Sequence, residues 1–499
     1  MERFRAAILP GLLLAYAAFC SLGAVDFGWY WDDDYNIGLA AHSVAEHSLL
    51  PGRYMYPSLC HDLILLALLP QALAAEPSRT LEQIINSRSF LLMTRSFFAI
   101  LSCLGLIGVY VIVRERGPSR AAAGLAGALM ALSWEIGYHS RFISPNGIMM
   151  ALAALVLMLV CSDGPRPDLR MKLAALAAGL ACGAKYPAGL LLVPVILEIY
   201  RRSRSSSGGP WRAIAAASGF FCAAYLLTTP GMLLQYPAFL RDVLEQRRVY
   251  GTGHMGYTVV PGLQHLALML DYLGRAAFSK YPDIALFFFI LALAGAAVML
   301  RRDWQRGLVF LSFPILYLGF FACQKVMIVR NLLILFPFLA VLAAGGAQSV
   351  QARLFAGRPY RLFFPAFIII LLSVNAVQLL QSAWSVRDRE RTSYAVRLSR
   401  YVDDRPGTVF LFSARAAAML GGADPGPRAN VVRAVSPQVG QAVFLASEAA
   451  EGSWTANRRG YLTAAFGPDD VNFAYYPTWK ANDRIVVMPI ESALKLAVF

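Results

Sequence analysis

The fold is organised around the stretch Trp29-Tyr30-Trp31-Asp32-Asp33-Asp34-Tyr35-Asn36, which follows directly on the apolar run from Ile8 to Val25. With its flanks, that run is long enough to cross a bilayer as a helix. The aromatic residues therefore lie where a membrane helix emerges into water, a position that such side chains favour. Three adjacent carboxylates repel one another, so at least one should have a raised pKa unless a cation or a basic partner lies beside it. The alternative is an ordinary acidic helix start.

The composition is that of a membrane protein. Of the 499 residues, 58% are hydrophobic and 15% are charged, which is too apolar a balance for a soluble enzyme. Apolar runs of about 20 residues recur along the chain and are continuous rather than alternating, which indicates membrane helices. The seven cysteines are scattered and show no paired spacing, so they predict neither a disulfide framework nor a zinc knuckle. The sequence thus predicts a polytopic α-helical membrane protein.

About eleven transmembrane helices are expected. The predicted spans are residues 6–25, 88–113, 119–137, 146–162, 172–184, 187–200, 212–229, 284–300, 307–323, 331–349 and 362–383. The first run lacks a small-residue cleavage site and is expected to remain as a helix. The stretch from His61 to Ala75 is either an interfacial helix or a partial span.

Basic residues in the short loops predict the orientation. With the N-terminus inside, 18 Lys and Arg residues lie at the inner loops and four at the outer ones. The net charge of +15 is therefore mainly a topology signal and does not indicate nucleic-acid binding. The exceptions on the outer side are Arg141, Lys185, Lys325 and Arg330.

Three long segments then fall outside: residues 26–87, 230–283 and the tail from 384 to 499. The tail contains strand-like runs separated by turn residues, which predicts a small extracytoplasmic α/β domain. The expected organisation is a transmembrane domain over 1–383 and a soluble domain over 384–499.

Lys185, Arg330 and Arg141 are candidates for binding an anion at the outer headgroup level. Lys and Arg hold phosphate by charge-assisted hydrogen bonds. The alternative for each residue is snorkelling to lipid headgroups.

The case for a metal is weak. All six histidines map to outer segments, and His61 or His254 beside an acidic residue could bind a divalent ion. No His-x-x-His or His-Glu-x-x-His spacing supports such a site. A divalent metal ion is the one cofactor that the sequence leaves open.

Several motifs occur in a recognisable order. An acidic pair follows the first helix, then the turn Tyr56-Pro57-Ser58, then Arg88 at the start of the second helix. The segments Arg141–Asn146 and Gly179–Tyr186 follow. Together they resemble the polyprenyl-phosphate-dependent glycosyltransferases of the C-type membrane fold, and in particular the superfamily of protein O-mannosyltransferases and lipid A aminoarabinose transferases. Gly179–Tyr186 resembles the glycine–lysine break between helices in that superfamily.

Two positions depart from the family pattern. The family usually reads Asp-Glu where this chain has three aspartates, so two registers are open. The match of Asn36 favours Asp32 and Asp33, while Asp33 and Asp34 form the alternative pair. The Pro-Asp of the family is Pro145-Asn146 here, which removes a carboxylate.

The resemblance implies a transfer reaction. The donor would be a sugar on a polyprenyl phosphate, and the acceptor a hydroxyl of a lipid, polysaccharide or protein. Asp32 or Asp33, with Asp34 as the remaining candidate, would be the general base, and the anomeric configuration would invert. Lys185 and Arg330 would hold the donor phosphate. Arg141, Arg53 and Tyr186 are further candidates for that site.

Such an enzyme would lie in a bacterial inner membrane, with its active site and tail facing the periplasm. A transporter or lipid flippase with an outer acidic site is an alternative, as is a scaffold whose tail binds a partner. Against a transporter, the predicted spans are nearly free of Asp and Glu, whereas transporter charges usually lie near the membrane midplane.

Overall fold

The structure is a computed structural model. It describes residues 2–26, 31–76, 78–116, 119–163, 165–203, 209–254, 257–355 and 362–392, and five strands between residues 409 and 489. The chain divides into two units. The larger comprises Met1–Val25, Asp32–His254 and Val259–Ala383, and the smaller comprises Asp26–Trp31, Met255–Thr258 and Trp384–Phe499.

The larger unit is built from α-helices. Those before residue 185 are α1 (Glu2–Leu22), α2 (Trp31–Ala45), α3 (Leu59–Ala74), α4 (Leu81–Ile85), α5 (Arg88–Cys103), α6 (Gly105–Arg116), α7 (Arg120–Ala131), α8 (Trp134–His139), α9 (Pro145–Cys161) and α10 (Pro167–Ala184). Those after it are α11 (Leu192–Ser203), α12 (Trp211–Thr228), α13 (Gly231–Leu234), α14 (Tyr236–Thr252), α15 (Leu263–Ala276), α16 (Pro282–Arg302), α17 (Trp304–Ala322), α18 (Phe336–Leu354) and α19 (Phe363–Thr392). Two 3₁₀ helices, Tyr186–Leu191 and Val329–Leu335, lead directly into α11 and α18.

Within the described residues, six helical segments are long and apolar enough to cross a membrane. They are Arg88–Glu115, Trp211–Thr228, Pro282–Arg302, Trp304–Ala322, Val329–Leu354 and Phe363–Trp384. Four shorter apolar helices accompany them: Ile8–Leu22, Leu59–Ala74, Arg120–Ala131 and Pro145–Cys161. Each of the eleven predicted spans coincides with one helix or with two consecutive helices, but their number as membrane spans stays a prediction.

One predicted span is broken by a local capping interaction. The sequence predicted a single helix over 119–137, whereas α7 ends at Ala131 and α8 begins at Trp134. The Ser133 hydroxyl oxygen accepts the N–H of Ile136 at 3.3 Å, so it caps the start of α8. The Ser133 side chain thus replaces the backbone carbonyl that would accept the Ile136 N–H in a continuous helix.

Small residues let the helices approach closely. Gly179 and Gly183 of α10 face α12, where an added Cβ would overlap the Phe221 carbonyl and the Thr228 side chain. Gly295 of α16 and Gly346 of α18 meet in the same way, and a Cβ added to either would lie 3.0 Å from the backbone nitrogen of the other. Such contacts replace the hydrophobic effect as the source of helix association in lipid. The contacts of Gly179 and Gly183 hold the C-terminal part of α10 against α12, directly before Lys185.

The two long loop segments contact each other. The Tyr54 N–H, between α2 and α3, donates to Asp242 Oδ2 of α14 at 2.7 Å. The Tyr54 hydroxyl donates to Gln235 Oε1 at 2.6 Å. Segments 26–87 and 230–283, which the loop charges predict to lie on one side of the membrane, are therefore in contact through Tyr54.

The described part of the tail is a five-stranded mixed sheet. Its strands are β1 (Val409–Phe412), β2 (Ala429–Val431), β3 (Ala442–Ser447), β4 (Ala464–Phe466) and β5 (Ile485–Pro489), in the order β2-β1-β3-β5-β4. β1 pairs in parallel with β2 and β3, while β5 pairs antiparallel with β3 and β4. β1, β3 and β5 coincide with the strand-like runs that the sequence predicts at 408–412, 442–445 and 484–488.

Candidate active site

The three consecutive aspartates occupy the first turn of α2 and lie in different environments. Asp32 and Asp33 are buried, with 8% and 2% of their surface exposed, whereas Asp34 is exposed. Successive residues of a helix point about 100° apart, so neighbouring side chains meet different surroundings. Carboxylates in a first helical turn also interact favourably with the helix dipole, as the alternative interpretation expected. That role alone does not explain why two of the three are buried.

Asp33 is enclosed by hydrogen bonds. Its Oδ2 accepts from Arg95 Nε at 2.9 Å and Nη2 at 2.7 Å, and its Oδ1 accepts from the Ile143 N–H at 2.6 Å. Burial raises the pKa of the Asp33 carboxyl to about 6, although the Arg95 guanidinium and the Ile143 N–H oppose that shift. Both oxygens are occupied, so Asp33 joins α2 to α5 and to the segment before α9.

Asn36 completes the same contact. It lies one turn after Asp33, and its Nδ2 donates to the Ile143 carbonyl at 2.8 Å and to the Asp32 carbonyl at 2.8 Å. The backbone N–H and C=O of Ile143 are thus both bound by α2. Asn36, whose match to the family pattern favours the Asp32–Asp33 register, thus holds the first turn of α2 in place.

Asp32 faces a different arginine. Its Oδ1 accepts from Arg330 Nη2 at 3.1 Å, and Arg330 lies in the 3₁₀ helix before α18. Among the described residues, the Asp32 Oδ2 atom accepts no hydrogen bond. One oxygen of this buried carboxylate thus remains available to a ligand.

Lys185 lies in extended backbone between α10 and the following 3₁₀ helix, and only 4% of it is exposed. Its Nζ donates to Asn146 Oδ1 at 3.2 Å and to Asn331 Oδ1 at 2.5 Å, and lies 5.3 Å from the centre of the Tyr56 ring. Among the described residues it forms no ion pair. Burial lowers the pKa of the Lys185 ammonium to about 7, with the Arg330 charge acting in the same direction and Asp32 opposing it.

The amide partners of Lys185 are held in turn. Asn331 Nδ2 donates to the Tyr250 hydroxyl at 3.2 Å, and its backbone carbonyl accepts from the Tyr317 hydroxyl at 2.8 Å. Two neutral amides orient the ammonium without cancelling its charge. The departure from Pro-Asp to Pro145-Asn146 therefore changes the charge around Lys185 and keeps a hydrogen-bond acceptor.

Other candidate residues lie elsewhere. Arg141 Nη2 donates to Ser382 Oγ of α19 at 3.4 Å, and the Tyr186 hydroxyl donates to the Tyr54 carbonyl at 2.8 Å. Arg53 lines a separate cavity with Arg241. Lys185 and Arg330 are both buried among protein side chains, which does not fit the alternative of snorkelling to lipid headgroups.

The two metal candidates form no joint site. His61 Nε2 lies 2.8 Å from Ser43 Oγ, and its Nδ1 lies 3.3 Å from Asp62 Oδ1. His254 is partly buried, and burial together with the Arg330 charge lowers its pKa. In the part of the chain that the structure describes, no three His, Cys, Asp or Glu side chains come together as a metal-binding group.

Sequence reasoning missed Arg95, which is 1% exposed and lies in the apolar segment Arg88–Glu115. The available signal was a charge within a membrane helix, since such charges almost always have a buried partner. It also missed Asn331, which directly follows Arg330, because an amide carries no charge signal of its own.

The comparisons with known proteins agree with this fold. The model of Glycosyltransferase family 87 matches residues 84–323. Among solved structures, ArnT from Cupriavidus metallidurans in the apo state is similar, at 13% identity and a TM-score of 0.56, covering 99% of each chain. The same protein bound to undecaprenyl phosphate is similar at 12% identity and a TM-score of 0.56, covering 96% of this chain and 97% of that one. No curated protein matches the sequence.

The fold and the matches define the class of protein: a helical membrane protein with the C-type glycosyltransferase fold. The resemblance inferred from the motifs is confirmed, and the family match over residues 84–323 supports a glycosyltransferase.

Proposed function

We propose that this chain transfers a sugar from a polyprenyl-phosphate donor to an acceptor hydroxyl on the outer side of the membrane. The observation that carries the proposal is Lys185, a buried ammonium whose polar partners are the neutral oxygens of Asn146 and Asn331. A buried charge is costly unless it is paired, so an anionic ligand is the natural complement of this site.

A phosphate group fits the site by charge and by position. Arg330 and Lys185 interact electrostatically with each other and with Asp32, so two cations and one carboxylate share the site. A phosphate oxygen accepts charge-assisted hydrogen bonds from both cation types. The ArnT structure bound to undecaprenyl phosphate supports a polyprenyl phosphate as the ligand.

In the proposed reaction Asp32 is the general base. Its Oδ2 takes the proton of the acceptor hydroxyl, while the hydroxyl oxygen attacks the anomeric carbon and the bond from that carbon to the phosphate oxygen breaks. The electron pair of that bond leaves on the polyprenyl phosphate. Attack opposite to the leaving group inverts the anomeric configuration.

Lys185 and Arg330 stabilise the negative charge that develops on the leaving phosphate. They are oriented before the donor binds, Lys185 by two amides and Arg330 by Asp32, so little reorganisation is required during the reaction. Asp33 is a positioning residue in this proposal. By engaging Arg95 and Ile143, it sets the direction of the first turn of α2 and hence of Asp32.

The remaining assignments rest on the loop charges and on the family resemblance. We propose an inner N-terminus, a bacterial inner membrane, and a site and tail over 384–499 that face the periplasm. Tyr186 supports the site indirectly through the Tyr54 carbonyl. The acceptor is a lipid, polysaccharide or protein.

The test of the function is a transfer assay with the full chain in lipid nanodiscs. A panel of radiolabelled polyprenyl-phosphate sugars is incubated with membrane extract as the source of acceptor, and labelled product is measured. The proposal expects product from one donor and none from the Asp32→Asn variant. Movement of labelled donor across the bilayer without product formation would instead support a flippase.

The orientation has a separate test. Single cysteines are introduced into a variant that lacks the natural cysteines and are labelled with a membrane-impermeant maleimide in intact cells. The two positions are Ser203, in an inner loop of the proposed topology, and Ser78, in the outer segment 26–87. Position 203 should be protected and position 78 labelled. Labelling of position 203 alone would reverse the proposed orientation.

A further inference from the structure

A cavity of about 450 Å³ lies beside α2 and is separate from Lys185 and Arg330. Its walls come from α2, from the turn after it, and from α14. The turn depends on Gly52, whose φ of +67° is readily adopted by glycine. The residues that line the cavity are Leu39, His42, Pro51, Gly52, Arg53 and Arg241.

The polar lining of this cavity is basic. No carboxylate is among the residues that line it, and Arg53 is exposed and forms no ion pair among the described residues. Arg241 Nε donates to Asp242 Oδ1 at 2.8 Å, while Asp242 Oδ2 accepts from the Tyr54 N–H. Asp242 thus balances Arg241 and leaves the charge of Arg53 uncompensated.

The cavity lies along the helical face that carries Asp32. Tyr35, Leu39 and His42 follow Asp32 at spacings of three, seven and ten residues, which places them on one side of α2. At about 1.5 Å per residue, Leu39 and His42 are about 10 and 15 Å from Asp32 along the axis.

Tyr35 occupies the interval between Asp32 and the cavity. Its hydroxyl is buried and has no hydrogen-bond partner among the described residues, and it interacts electrostatically with Arg53. Buried hydroxyls normally have a partner, so this one has an unused hydrogen bond on the side of α2 that faces the cavity. The helical spacing therefore places an unused polar group between Asp32 and the cavity.

We propose that this cavity binds an anionic group, a phosphate or carboxylate, of the sugar acceptor. The inference rests on the proposed function and adds the acceptor class: a molecule whose acidic group lies about 10–15 Å from the hydroxyl that receives the sugar. The guanidinium of Arg53 offers paired N–H donors that match either anion.

The experiment titrates inorganic phosphate into the full chain in phosphatidylcholine nanodiscs, with the donor site first saturated with undecaprenyl phosphate. Arg53→Gln and Arg241→Gln are compared with Arg248→Gln. Arg248 is the matched control, because it lies two turns after Arg241 on the same helix, is similarly exposed, and is also paired with an acid, Glu245. Arg53→Lys keeps the positive charge but lacks the paired N–H donors of the guanidinium, so it tests whether those donors are needed.

The proposal expects Arg53→Gln to weaken phosphate binding roughly tenfold, from the loss of a charge-assisted contact, and Arg241→Gln to weaken it by less. Arg248→Gln should bind phosphate as the parent does. Undecaprenyl phosphate affinity should be the same in all variants. Unchanged phosphate affinity in Arg53→Gln, or an equal loss in Arg248→Gln, overturns the site.

Two further outcomes separate the possible failures. If phosphatidylglycerol in the nanodiscs abolishes phosphate binding, the cavity binds lipid headgroups and the assignment to the acceptor is wrong. If the parent binds phosphate through Arg53 but does not bind undecaprenyl phosphate, the proposed donor is wrong while the anion site in the cavity stands.

Discussion

Asp32 and Asp33 are adjacent and chemically identical, yet the fold gives them different surroundings. Asp33 pairs with Arg95, 62 residues away, and both of its oxygens accept hydrogen bonds. Asp32 pairs with Arg330, 298 residues away, through one oxygen. On the proposed function, one helical turn supplies a structural anchor and a general base side by side. Asp33 accepts three hydrogen bonds and Asp32 one, so Asp32 has more unused acceptor capacity for a substrate proton.

The two ion pairs also differ in what their loss should change. The Asp33–Arg95 pair joins α2 to a candidate membrane span, and removing one partner leaves a buried charge. In Asp32→Asn the amide oxygen can still accept from Arg330, and the amide nitrogen replaces an oxygen that accepts no hydrogen bond among the described residues, so the fold should tolerate the change. In Asp33→Asn the amide nitrogen would face either Arg95 or the Ile143 N–H, both of which are donors. Activity should therefore depend on Asp32 and stability on Asp33.

The largest expected effect is that of Asp32→Asn on turnover. Loss of a general base typically lowers the rate by about a hundred- to ten-thousand-fold. Affinity for undecaprenyl phosphate should be unchanged or higher, since a negative charge is removed beside the phosphate. Transfer rates and binding titrations of the same preparation measure both. An active Asp32→Asn variant would end the proposed assignment of the base.

The second effect is on stability. Asp33→Asn should destabilise the protein by about 3–5 kcal/mol because Arg95 loses its buried counter-charge. The apparent melting temperature in nanodiscs, compared with that of Asp32→Asn, measures the difference. The double variant Asp33→Asn/Arg95→Met should be more stable than Asp33→Asn alone, because neither charge then remains unpaired. If Asp33→Asn loses turnover at an unchanged melting temperature, Asp33 is the base instead.

The third effect concerns the donor phosphate. Lys185→Gln should weaken undecaprenyl phosphate binding by about 1.5–3 kcal/mol, or roughly ten- to a hundredfold, since one charge-assisted contact is lost. Arg141→Gln is the comparison, because the Arg141 side chain contacts Ser382 of α19. A larger loss in Arg141→Gln would place the phosphate away from Lys185.

The fourth effect is a dependence on pH. Because the pKa of Lys185 is lowered to about 7, its ammonium form is favoured below that pH and is lost as the pH rises. Donor affinity should therefore fall by up to about tenfold between pH 6 and pH 8 relative to Lys185→Arg, which stays charged. This comparison removes the titration of the phosphate itself. Parallel pH profiles in the two proteins would show that Lys185 does not titrate in this range.

The smallest effect is expected for Asp34→Asn. Its exposed side chain should contribute less than about 0.5 kcal/mol to stability, and transfer should continue at the parent rate. A loss of transfer comparable with that of Asp32→Asn would favour the register in which Asp33 and Asp34 form the acidic pair.

Much of the architecture was predictable from the chain alone. Continuous apolar runs predict membrane helices because lipid offers no partner for backbone polar groups, and each predicted span coincides with helical structure. Amphipathic patterns at 239–249 and 263–277 coincide with α14 and α15, and strand-like runs in the tail coincide with three of its five strands. Charge and order along the chain identified Lys185, Arg330 and the aspartates as a set.

The roles within that set depend on tertiary structure. Sequence spacing cannot distinguish Asp32 from Asp33, because the distinction arises from which arginine each one meets, and those arginines come from α5 and from the segment before α18. Likewise, Lys185 and Arg141 look alike as outer basic residues, but the fold surrounds one with Asn146 and Asn331 and directs the other to Ser382. Composition and periodicity determine which residues enter the membrane and which face water. Partners hundreds of residues apart are chosen by helix packing, and that packing decides which charge is neutralised and which remains available for chemistry.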